Sequence, residues 1–333
     1  MSEKIETRNA SQAGEGRDLE ERAPESCTPE DCSSCQAAAD GTCPLQHEKA
    51  QDERVRPDKA KSAIEKLPQS QFNDIRHVLA VMSGKGGVGK SSVTALLATA
   101  VAREGYKVGV LDADITGPSI PRMFGIKKRA DSFEFGLLPV QSETLRIPVM
   151  SINLLLPHED DPVIWRGPII ANVVKQFWTD VVWGDLDFLF VDLPPGTGDA
   201  PLTVMQSLPL DGIVIVSSPQ DLAVMVVKKA IKMARILNTH LLGLVENMSY
   251  VICPHCGNKH EVFGPSKGQA VSEATDIPLL ATLPLDPKLS ELCDKGRIED
   301  YNPDAVASVV DFIVKILDHM DKLKAKDHES KVQ

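Results

Sequence analysis

The stretch Gly84-Lys85-Gly86-Gly87-Val88-Gly89-Lys90-Ser91 determines which fold this sequence predicts. It matches the phosphate-binding pattern G-x-x-x-x-G-K-S/T at every fixed position. A short apolar run, Val78–Met82, precedes it, and a segment with helical periodicity follows from Ser92 to Arg103. Between a strand and a helix, glycines let the backbone approach phosphates closely, so that successive N–H groups point at them. The pattern therefore predicts a nucleoside triphosphate site in which Lys90 contacts the β- and γ-phosphates and Ser91 binds Mg²⁺.

A nicotinamide dinucleotide is the alternative ligand for this loop. Gly84, Gly86 and Gly89 also satisfy G-x-G-x-x-G, and Asp112 follows at a suitable distance. That shorter pattern is weak by itself. It gives no role to Lys90 and the serine after it, whereas a triphosphate requires both. We therefore favour the triphosphate.

Lys85 is a second lysine in the same loop, and a plain P-loop does not require it. One interpretation is a solvated loop residue. The other is a lysine that reaches a phosphate, such as one bound in a facing subunit, and neutralises charge that develops during transfer.

Aspartates end two of the apolar runs. Asp192 follows Phe188–Val191, while Asp112 follows Val108–Leu111 and is itself followed by Asp114. An aspartate at the end of a strand beside a P-loop can hold Mg²⁺ through water, so we assign this to Asp192. We expect one of the other two to support Mg²⁺ and the other to orient the attacking water. The alternative for any strand-end aspartate is a helix cap or a turn.

Short apolar runs alternate with helical segments along residues 75–323. Besides those already named, predicted strands are Ile213–Val216, Leu241–Val245 and Leu279–Leu283, and Leu222–Leu237 is a predicted helix. This alternation is typical of a parallel sheet that is covered by helices on both faces. The prediction is an α/β, doubly wound, mostly parallel P-loop NTPase fold, with ligands at the carboxyl ends of the strands.

The two ends of the chain differ from this domain. Residues 1–74 carry ten lysine and arginine residues against sixteen acidic ones, and their apolar residues do not recur with a helical or strand period. We predict a largely irregular N-terminal tail unless a metal organises it. A last helix at about 303–323 is predicted to dock on the domain rather than on a membrane surface, because aspartates occupy its polar side. Residues 324–333 are predicted to be a solvated tail.

Composition limits the classes of function. The 333 residues include 36 lysine and arginine and 47 acidic residues, a net charge of −11. An acidic chain lacks the cationic surface that nucleic-acid binding needs, so we expect no nucleic-acid partner. No apolar run is long enough for a membrane span, and the N-terminus lacks the apolar core of a signal peptide. We therefore expect a cytoplasmic protein without a membrane partner, whose seven cysteines serve metal binding or catalysis.

Cys253-Pro254-His255-Cys256-Gly257 is a metal knuckle within a predicted insert at residues 250–264. Two thiolates point at one ion in such a turn, but both zinc and a 4Fe–4S cluster take four ligands. The missing ligands could come from a second subunit, from His255, from His260 or from the tail. A twofold axis would turn two thiolates into a four-thiolate site, and the deficit thus favours a homodimer.

The other cysteines are four in the tail and one in a later helix. Cys27, Cys32, Cys35 and Cys43 suffice for one closed tetrathiolate site, and unligated thiols in an irregular tail are the alternative. Their spacing does not decide between zinc and an iron–sulfur cluster. Cys293 follows Pro287 in a predicted helix, where we expect a buried free thiol.

Residues 75–320 resemble the Mrp/ApbC ATPases, iron–sulfur cluster carrier proteins within the MinD/ParA group of deviant P-loop ATPases. In chain order, the motifs that carry the resemblance are Gly84–Ser91, Asp112–Ser119, Trp165–Pro168, Asp192–Asp199, Glu246–Met248 and Cys253–Cys256. Some eukaryotic members of the family also carry an N-terminal four-cysteine segment, as this chain does.

The resemblance implies two subunits that face each other with ATP between them. It implies that Lys85 acts across the dimer, that Asp114 positions water and that Asn247 reads adenine. Cys253 and Cys256, with their copies in the partner, would hold a 4Fe–4S cluster. The implied catalytic residues are Lys85, Lys90 and Asp114, and the implied nucleotide-binding residues are Gly84, Lys85, Gly86, Gly87, Val88, Gly89, Lys90, Ser91, Ser92, Asp112, Asp192 and Asn247.

The tail departs from the family pattern. Members with an N-terminal cluster have a long first gap, whereas here the spacing is C-x4-C-x2-C-x7-C. The resemblance therefore implies four cysteines in the same region and not the same site residue by residue. Our hypothesis is an ATP-hydrolysing carrier or scaffold that transfers a cluster to apo iron–sulfur proteins. The alternative is a MinD/ParA-like positioning or adaptor ATPase with a structural zinc site.

Overall fold

A computed structural model of the chain describes residues 67–158, 161, 165, 167–220, 223–302 and 304–332. The chain divides into the units Met1–Ala63 and Ile64–Gln333, and every described residue belongs to the second unit. The predicted site at Cys27, Cys32, Cys35 and Cys43 lies outside the described residues.

Strands and helices alternate along most of the described chain. The strands are β1 (Asn73–Ser83), β2 (Val108–Asp112), β3 (Asp131–Phe133), β4 (Gly136–Leu138), β5 (Val140–Gln141), β6 (Pro148–Met150), β7 (Gly184–Asp192), β8 (Gly212–Ser217), β9 (Leu241–Ile252), β10 (Lys259–His260) and β11 (Leu279–Pro284). The α-helices are α1 (Lys90–Arg103), α2 (Ile120–Met123), α3 (Gly167–Thr179), α4 (Asp199–Ser207), α5 (Ala223–Ile236), α6 (Gly268–Thr275), α7 (Pro287–Asp294) and α8 (Asp304–Val332). Short 3-10 helices occur at Ile152–Leu154 and Ile298–Asp300.

Nine of the described strands form one sheet in the order β10-β9-β8-β1-β7-β2-β6-β5, with β11 paired to β9. All pairings are parallel except those of β10 with β9 and of β5 with β6. β3 and β4 form a separate antiparallel pair. The predicted α/β fold with a mostly parallel sheet is confirmed.

Helices cover both faces of this sheet. Successive side chains of a strand point to opposite faces, and in β1 Ala80 and Met82 pack in one core while Leu79 and Val81 pack in the other. Buried side chains of α3 and α5 belong to the first core, and those of α1 and α8 to the second. None of the described helices is long and apolar enough to cross a bilayer.

The domain begins before β1. Leu67 packs against the first core, and the Trp178 indole Nε1 donates to the Pro68 carbonyl at 3.1 Å. Gln69 pairs with the backbone of Ile75 through both side-chain amide atoms, at 2.8 and 2.9 Å. Residues 67–74 therefore pack with the P-loop domain, whereas the sequence predicts that this domain begins at residue 75.

The last helix is longer than the sequence predicted. It docks on the domain as expected, with Val309 and Ile313 buried in the second core and Arg76 of β1 paired with Asp321 at 2.9 Å. It continues to Val332, where we expected a tail from residue 324. This end of the chain is rich in lysine and contains neither glycine nor proline, so it has good helix formers and no residue that stops a helix.

Candidate nucleotide site and cysteine pair

The loop at 84–89 connects the end of β1 to the first residue of α1 and has a backbone that only glycine adopts easily. Gly87 and Gly89 have φ angles of 81° and 79°, in the left-handed region. A Cβ at Gly89 would also lie 2.3 Å from Asn247 Nδ2. That amide group donates a hydrogen bond to the Val88 carbonyl at 2.9 Å. The loop is thereby held against β9.

Lys90, Ser91 and Asp192 form a buried polar cluster at the start of α1. Parallel pairing of β1 with β7 places Asp192 beside Val81, next to the loop. Lys90 Nζ lies 2.7 Å from Asp192 Oδ2, and the Ser91 hydroxyl donates to the same oxygen at 2.5 Å. The Asp192 side chain is fully buried. The three residues that the sequence assigned to phosphate and Mg²⁺ binding are therefore brought together.

Thr94 is a further member of this cluster that the sequence analysis missed. Its hydroxyl donates to Asp192 Oδ1 at 2.7 Å, and its side chain is buried. A weak signal was available, since Thr94 follows Lys90 by one helical turn and is polar on a buried face. Thr94 holds the carboxylate that faces Lys90.

Asp114 lies at the edge of the same cluster. Its Oδ2 is 3.9 Å from Lys90 Nζ, and its Oδ1 accepts hydrogen bonds from the Thr116 hydroxyl at 3.1 Å and from Gly117 N–H at 3.2 Å. Burial raises the pKa of this carboxyl, which the Lys90 ammonium lowers in part. Asp114 lines the cavity formed by the loop, as a residue that orients water there must.

Asp112 ends β2, next to the turn that carries Asp114. Its carboxylate is buried and is not among the residues that line the cavity. It accepts hydrogen bonds from the N–H groups of Asp114, Ser119 and Ile120 and from the Ser151 hydroxyl. Burial and the neighbouring Asp192 carboxylate raise its pKa to about 8. Asp112 thus caps the start of α2 and fixes the turn that carries Asp114, which is the alternative role for a strand-end aspartate.

Two cavities lie along the start of α1 and share Ser92 as a lining residue. The first, of about 260 Å³, is lined by loop glycines, Lys90, Ser91 and Asp114. The second, of about 340 Å³, is lined by Asn247, Met248 and residues of α7. The loop cavity suits phosphates because loop glycines and Lys90 line it, and a glycine-rich loop at the start of a helix offers backbone N–H groups to anions. The second cavity lies where the predicted adenine-reading residue is found. The Lys85 side chain is exposed at the surface of the loop.

The cysteine pair occupies a tight turn directly after β9. Cys253 N–H donates to the Asn258 carbonyl, and Gly257 N–H donates to the Cys253 carbonyl, both at 2.9 Å. Gly257 has a φ of 71°, as the turn requires. Cys253 is half-buried and Cys256 is exposed. Hydrogen bonds from the N–H groups of Cys256 and His255 lower the pKa of the Cys253 thiol, which favours the thiolate that binds metals.

Glu246 ties Ser266 and Lys267, which directly follow the cysteine insert, back to β9, a role that the sequence analysis missed. It is buried, with 2% of its surface exposed. Its carboxylate accepts hydrogen bonds from the Ser266 hydroxyl at 2.5 Å, the Lys267 N–H at 2.8 Å and the Ser249 hydroxyl at 2.8 Å. The acidic residue next to Asn247 was the available signal. Both ends of the insert are therefore attached to β9.

Cys293 lies on α7, the helix predicted after Pro287. It is half-buried rather than buried, and it lines the second cavity. Burial raises the pKa of its thiol to about 11. At neutral pH Cys293 is a protonated thiol.

The family model that matches this chain is the ParA model described as NUBPL iron-transfer P-loop NTPase, over residues 74–318. The iron-sulfur cluster carrier protein of Clostridium perfringens is 49% identical over 240 residues, which cover 70% of this chain and 84% of that protein. A probable cytosolic Fe-S cluster assembly factor of Schizosaccharomyces pombe is 44% identical over 253 residues, 70% of this chain and 41% of that protein.

Solved structures are also similar to this chain. One is the nucleotide-binding protein of Archaeoglobus fulgidus, solved in complex with ADP and with cobalt found. It is 49% identical to this chain, with a TM-score of 0.64, and the match covers 69% of this chain and 90% of that protein's chain. The cell division ATPase MinD of Pyrococcus furiosus, at 20% identity and a TM-score of 0.54, shares the fold. The family model and the carrier proteins cover most of the described domain. The chain therefore belongs to the ParA family of NUBPL-type iron-transfer P-loop NTPases.

Proposed function

We propose that this chain is an ATP-hydrolysing carrier that holds a 4Fe–4S cluster on Cys253 and Cys256 and passes it to apo iron–sulfur proteins. One observation carries the proposal. The strand β9 places Asn247 at the second cavity and ends immediately before Cys253. A nucleotide site and a thiolate pair thus share one continuous element of the sheet.

Hydrolysis would use the buried cluster at the loop. Backbone N–H groups of the loop and Lys90 hold the phosphates, and Lys90 neutralises charge as it develops. Asp114 orients the attacking water, a role for which its raised pKa suits it. Ser91 and Asp192 offer hard oxygen donors 2.5 Å apart, the type that Mg²⁺ prefers. Mg²⁺ held there would neutralise charge on the phosphates.

The cluster would be shared between two copies of the chain. A 4Fe–4S cluster takes four thiolates, and the described turn offers two, Cys253 and Cys256. A twofold axis supplies the other two without a further cysteine from the same chain. The exposed position of Lys85 suits a lysine that reaches across such an interface. We extend the proposal to the cytoplasm as the compartment and to a separate tail site at Cys27, Cys32, Cys35 and Cys43.

The positioning or adaptor ATPase has less support. The MinD structures are 20% identical to this chain and share its fold. Relatives that are 42–49% identical over most of the domain carry the name iron-sulfur cluster carrier protein. Identity at that level supports a shared function more strongly than a shared fold does.

A transfer assay tests the proposal. Protein reconstituted anaerobically with iron and sulfide is mixed with an apo-ferredoxin, with and without Mg²⁺ and ATP, and the acceptor is separated and its absorbance measured. We expect the acceptor to gain a 4Fe–4S spectrum from the unaltered chain and not from the Cys253→Ala/Cys256→Ala variant. Equal gain from both would contradict the assignment of the cluster to this pair.

A further inference from the structure

The cysteine turn is closed by a histidine on the next strand. β10 folds back on β9 in antiparallel register, with His260 opposite Val251 and Lys259 opposite Ile252. The turn between the two strands contains Cys253 and Cys256. This pairing brings His260 to the same end of β9 as the two thiols.

The three side chains are close enough to share one ion. The Sγ atoms of Cys253 and Cys256 and a ring nitrogen of His260 all lie within 4.8 Å of one another. Zinc–sulfur and zinc–nitrogen bonds of about 2.3 and 2.1 Å put ligand atoms of a tetrahedral site roughly 3.5 Å apart. Small side-chain rotations therefore suffice to bring all three onto a single ion. Within the described part of the chain, this is the one group of three or more such residues.

The backbone that carries the three ligands is well held. The turn has two internal hydrogen bonds of 2.9 Å, from Cys253 N–H to Asn258 and from Gly257 N–H to Cys253. Lys259 Nζ lies 4.3 Å from the centre of the Tyr250 ring, a cation–π contact that joins β10 to β9. The three residues are thus preorganised by contacts that leave the two thiols and the imidazole unused. His255 lies in the same turn but is not part of the three-residue group.

We propose that Cys253, Cys256 and His260 of a single subunit bind one divalent transition-metal ion and leave its fourth coordination position open. Two thiolates and an imidazole suit Zn²⁺, Co²⁺ and Fe²⁺, whereas Mg²⁺ and Ca²⁺ prefer oxygen ligands. This metal site rests on the proposed function in one respect only, because both use the thiols of Cys253 and Cys256. It needs neither a second subunit nor sulfide, and it adds His260 as a ligand.

The open position has a consequence for the order of loading. A three-ligand site on one subunit can take a metal ion before two subunits meet around a cluster. The fourth position then accepts one exogenous ligand, as catalytic zinc sites with three protein ligands do. His260 would leave the ion when two further thiolates replace it.

Cobalt titration of the full-length chain tests the site. Anaerobic, reduced protein is titrated with Co²⁺ and the thiolate-to-cobalt and d–d absorption bands are measured, along with the mass of the complex by light scattering. The spectrum of Cys253→Ala/Cys256→Ala is subtracted to remove binding by the other cysteines. His260→Ala is the test variant and His255→Ala is the matched control.

We expect one Co²⁺ per chain at this site, with tetrahedral bands and no dependence on dimerisation. His260→Ala should bind at least about 10-fold more weakly and shift the d–d bands, because it removes a ligand. His255→Ala should match the unaltered chain. Equal affinity and spectra in His260→Ala, or one Co²⁺ per two chains, would overturn the proposal.

Reconstitution with iron and sulfide separates this inference from the proposed function. A cluster held by four thiolates does not need His260, so His260→Ala should retain the iron and sulfide content of the unaltered chain. No sulfide-containing cluster in the unaltered chain, together with cobalt binding that depends on His260, would contradict the proposed function and leave the three-ligand site standing.

Discussion

The side-chain amide of Asn247 donates a 2.9 Å hydrogen bond to the backbone carbonyl of Val88, and this bond joins the phosphate-binding loop to β9. The same strand ends before Cys253. We expect a change in the loop that breaks this bond to alter β9, the strand that carries the cysteine turn.

Substitution of Gly89 tests the close approach of the loop to Asn247. Gly89→Ala would place a Cβ 2.3 Å from Asn247 Nδ2 at a residue with a φ of 79°. We expect it to lower the free energy of unfolding by about 2–3 kcal/mol, from left-handed strain and overpacking together. Denaturant unfolding measures this loss of stability, and calorimetry measures whether the affinity for ADP falls with it.

Gly105→Ala is the matched control, because Gly105 also has a positive φ, 92°, but a Cβ there meets nothing within 4 Å. It should lose about 1 kcal/mol from backbone strain alone and keep its ADP affinity. Equal losses of unfolding free energy in Gly89→Ala and Gly105→Ala would mean that the contact with Asn247 does not contribute to stability.

Lys90→Ala tests the role of the buried lysine in hydrolysis. We expect the rate of ATP hydrolysis to fall by about 10²–10³-fold, because the main positive charge on the phosphates is removed. The variant should also be less stable, since the buried Asp192 loses its cation. Phosphate release at saturating ATP, with circular dichroism to confirm folding, measures both.

The control for this variant is Lys107→Ala, an exposed lysine 65% of whose side chain is accessible. It should hydrolyse ATP at the rate of the unaltered chain. Turnover at that same rate in a folded Lys90→Ala protein would exclude the loop as the hydrolytic site.

Glu246→Ala tests whether the cysteine insert is held through β9. The substitution leaves the Ser266 hydroxyl and the Lys267 N–H without their acceptor. We expect about 3 kcal/mol of destabilisation and faster amide hydrogen exchange in residues 253–267. Glu246→Gln keeps one acceptor oxygen and should lose less. Unchanged exchange in the insert of the alanine variant would show that the carboxylate does not hold it.

The pH dependence of thiol alkylation tests the environment of Cys293. Its pKa is raised to about 11 by burial, so the thiolate fraction rises about tenfold per pH unit between pH 7 and 10. The rate at which iodoacetamide labels Cys293 in metal-free protein, read by peptide mass, should follow that slope. Cys253, whose pKa is lowered, should react before Cys293. ADP should slow Cys293 further because the residue lines the second cavity. A Cys293 rate that levels off below pH 9 would contradict the raised pKa.

The sequence predicted the central sheet well because buried parallel strands are continuous apolar runs. β1, β7 and β8 are examples, and each pairs in parallel where the predicted fold requires it. The short strands between residues 131 and 150 were missed, since two or three residues show no period.

The sequence identifies candidate site residues where a motif sets their spacing, and it misses contacts between residues that are distant in sequence. Lys90 and Ser91 are neighbours in a known pattern, whereas Thr94 meets Asp192 98 residues away. The capping contacts of Asp112 could not be predicted, because an aspartate that supports Mg²⁺ and a capping aspartate look alike at the end of a strand. Only the fold shows that backbone N–H groups already surround its carboxylate.

The iron and acid-labile sulfide content of anaerobically reconstituted protein tests the central claim most directly. We predict about four iron and about four sulfide per dimer that are lost in Cys253→Ala/Cys256→Ala. If each tail also held one cluster, the iron and sulfide contents would each be about twelve per dimer in the unaltered chain and about eight in the variant. Zinc without sulfide, or a sulfide content that the double variant leaves unchanged, would contradict the assignment of a cluster to this cysteine pair.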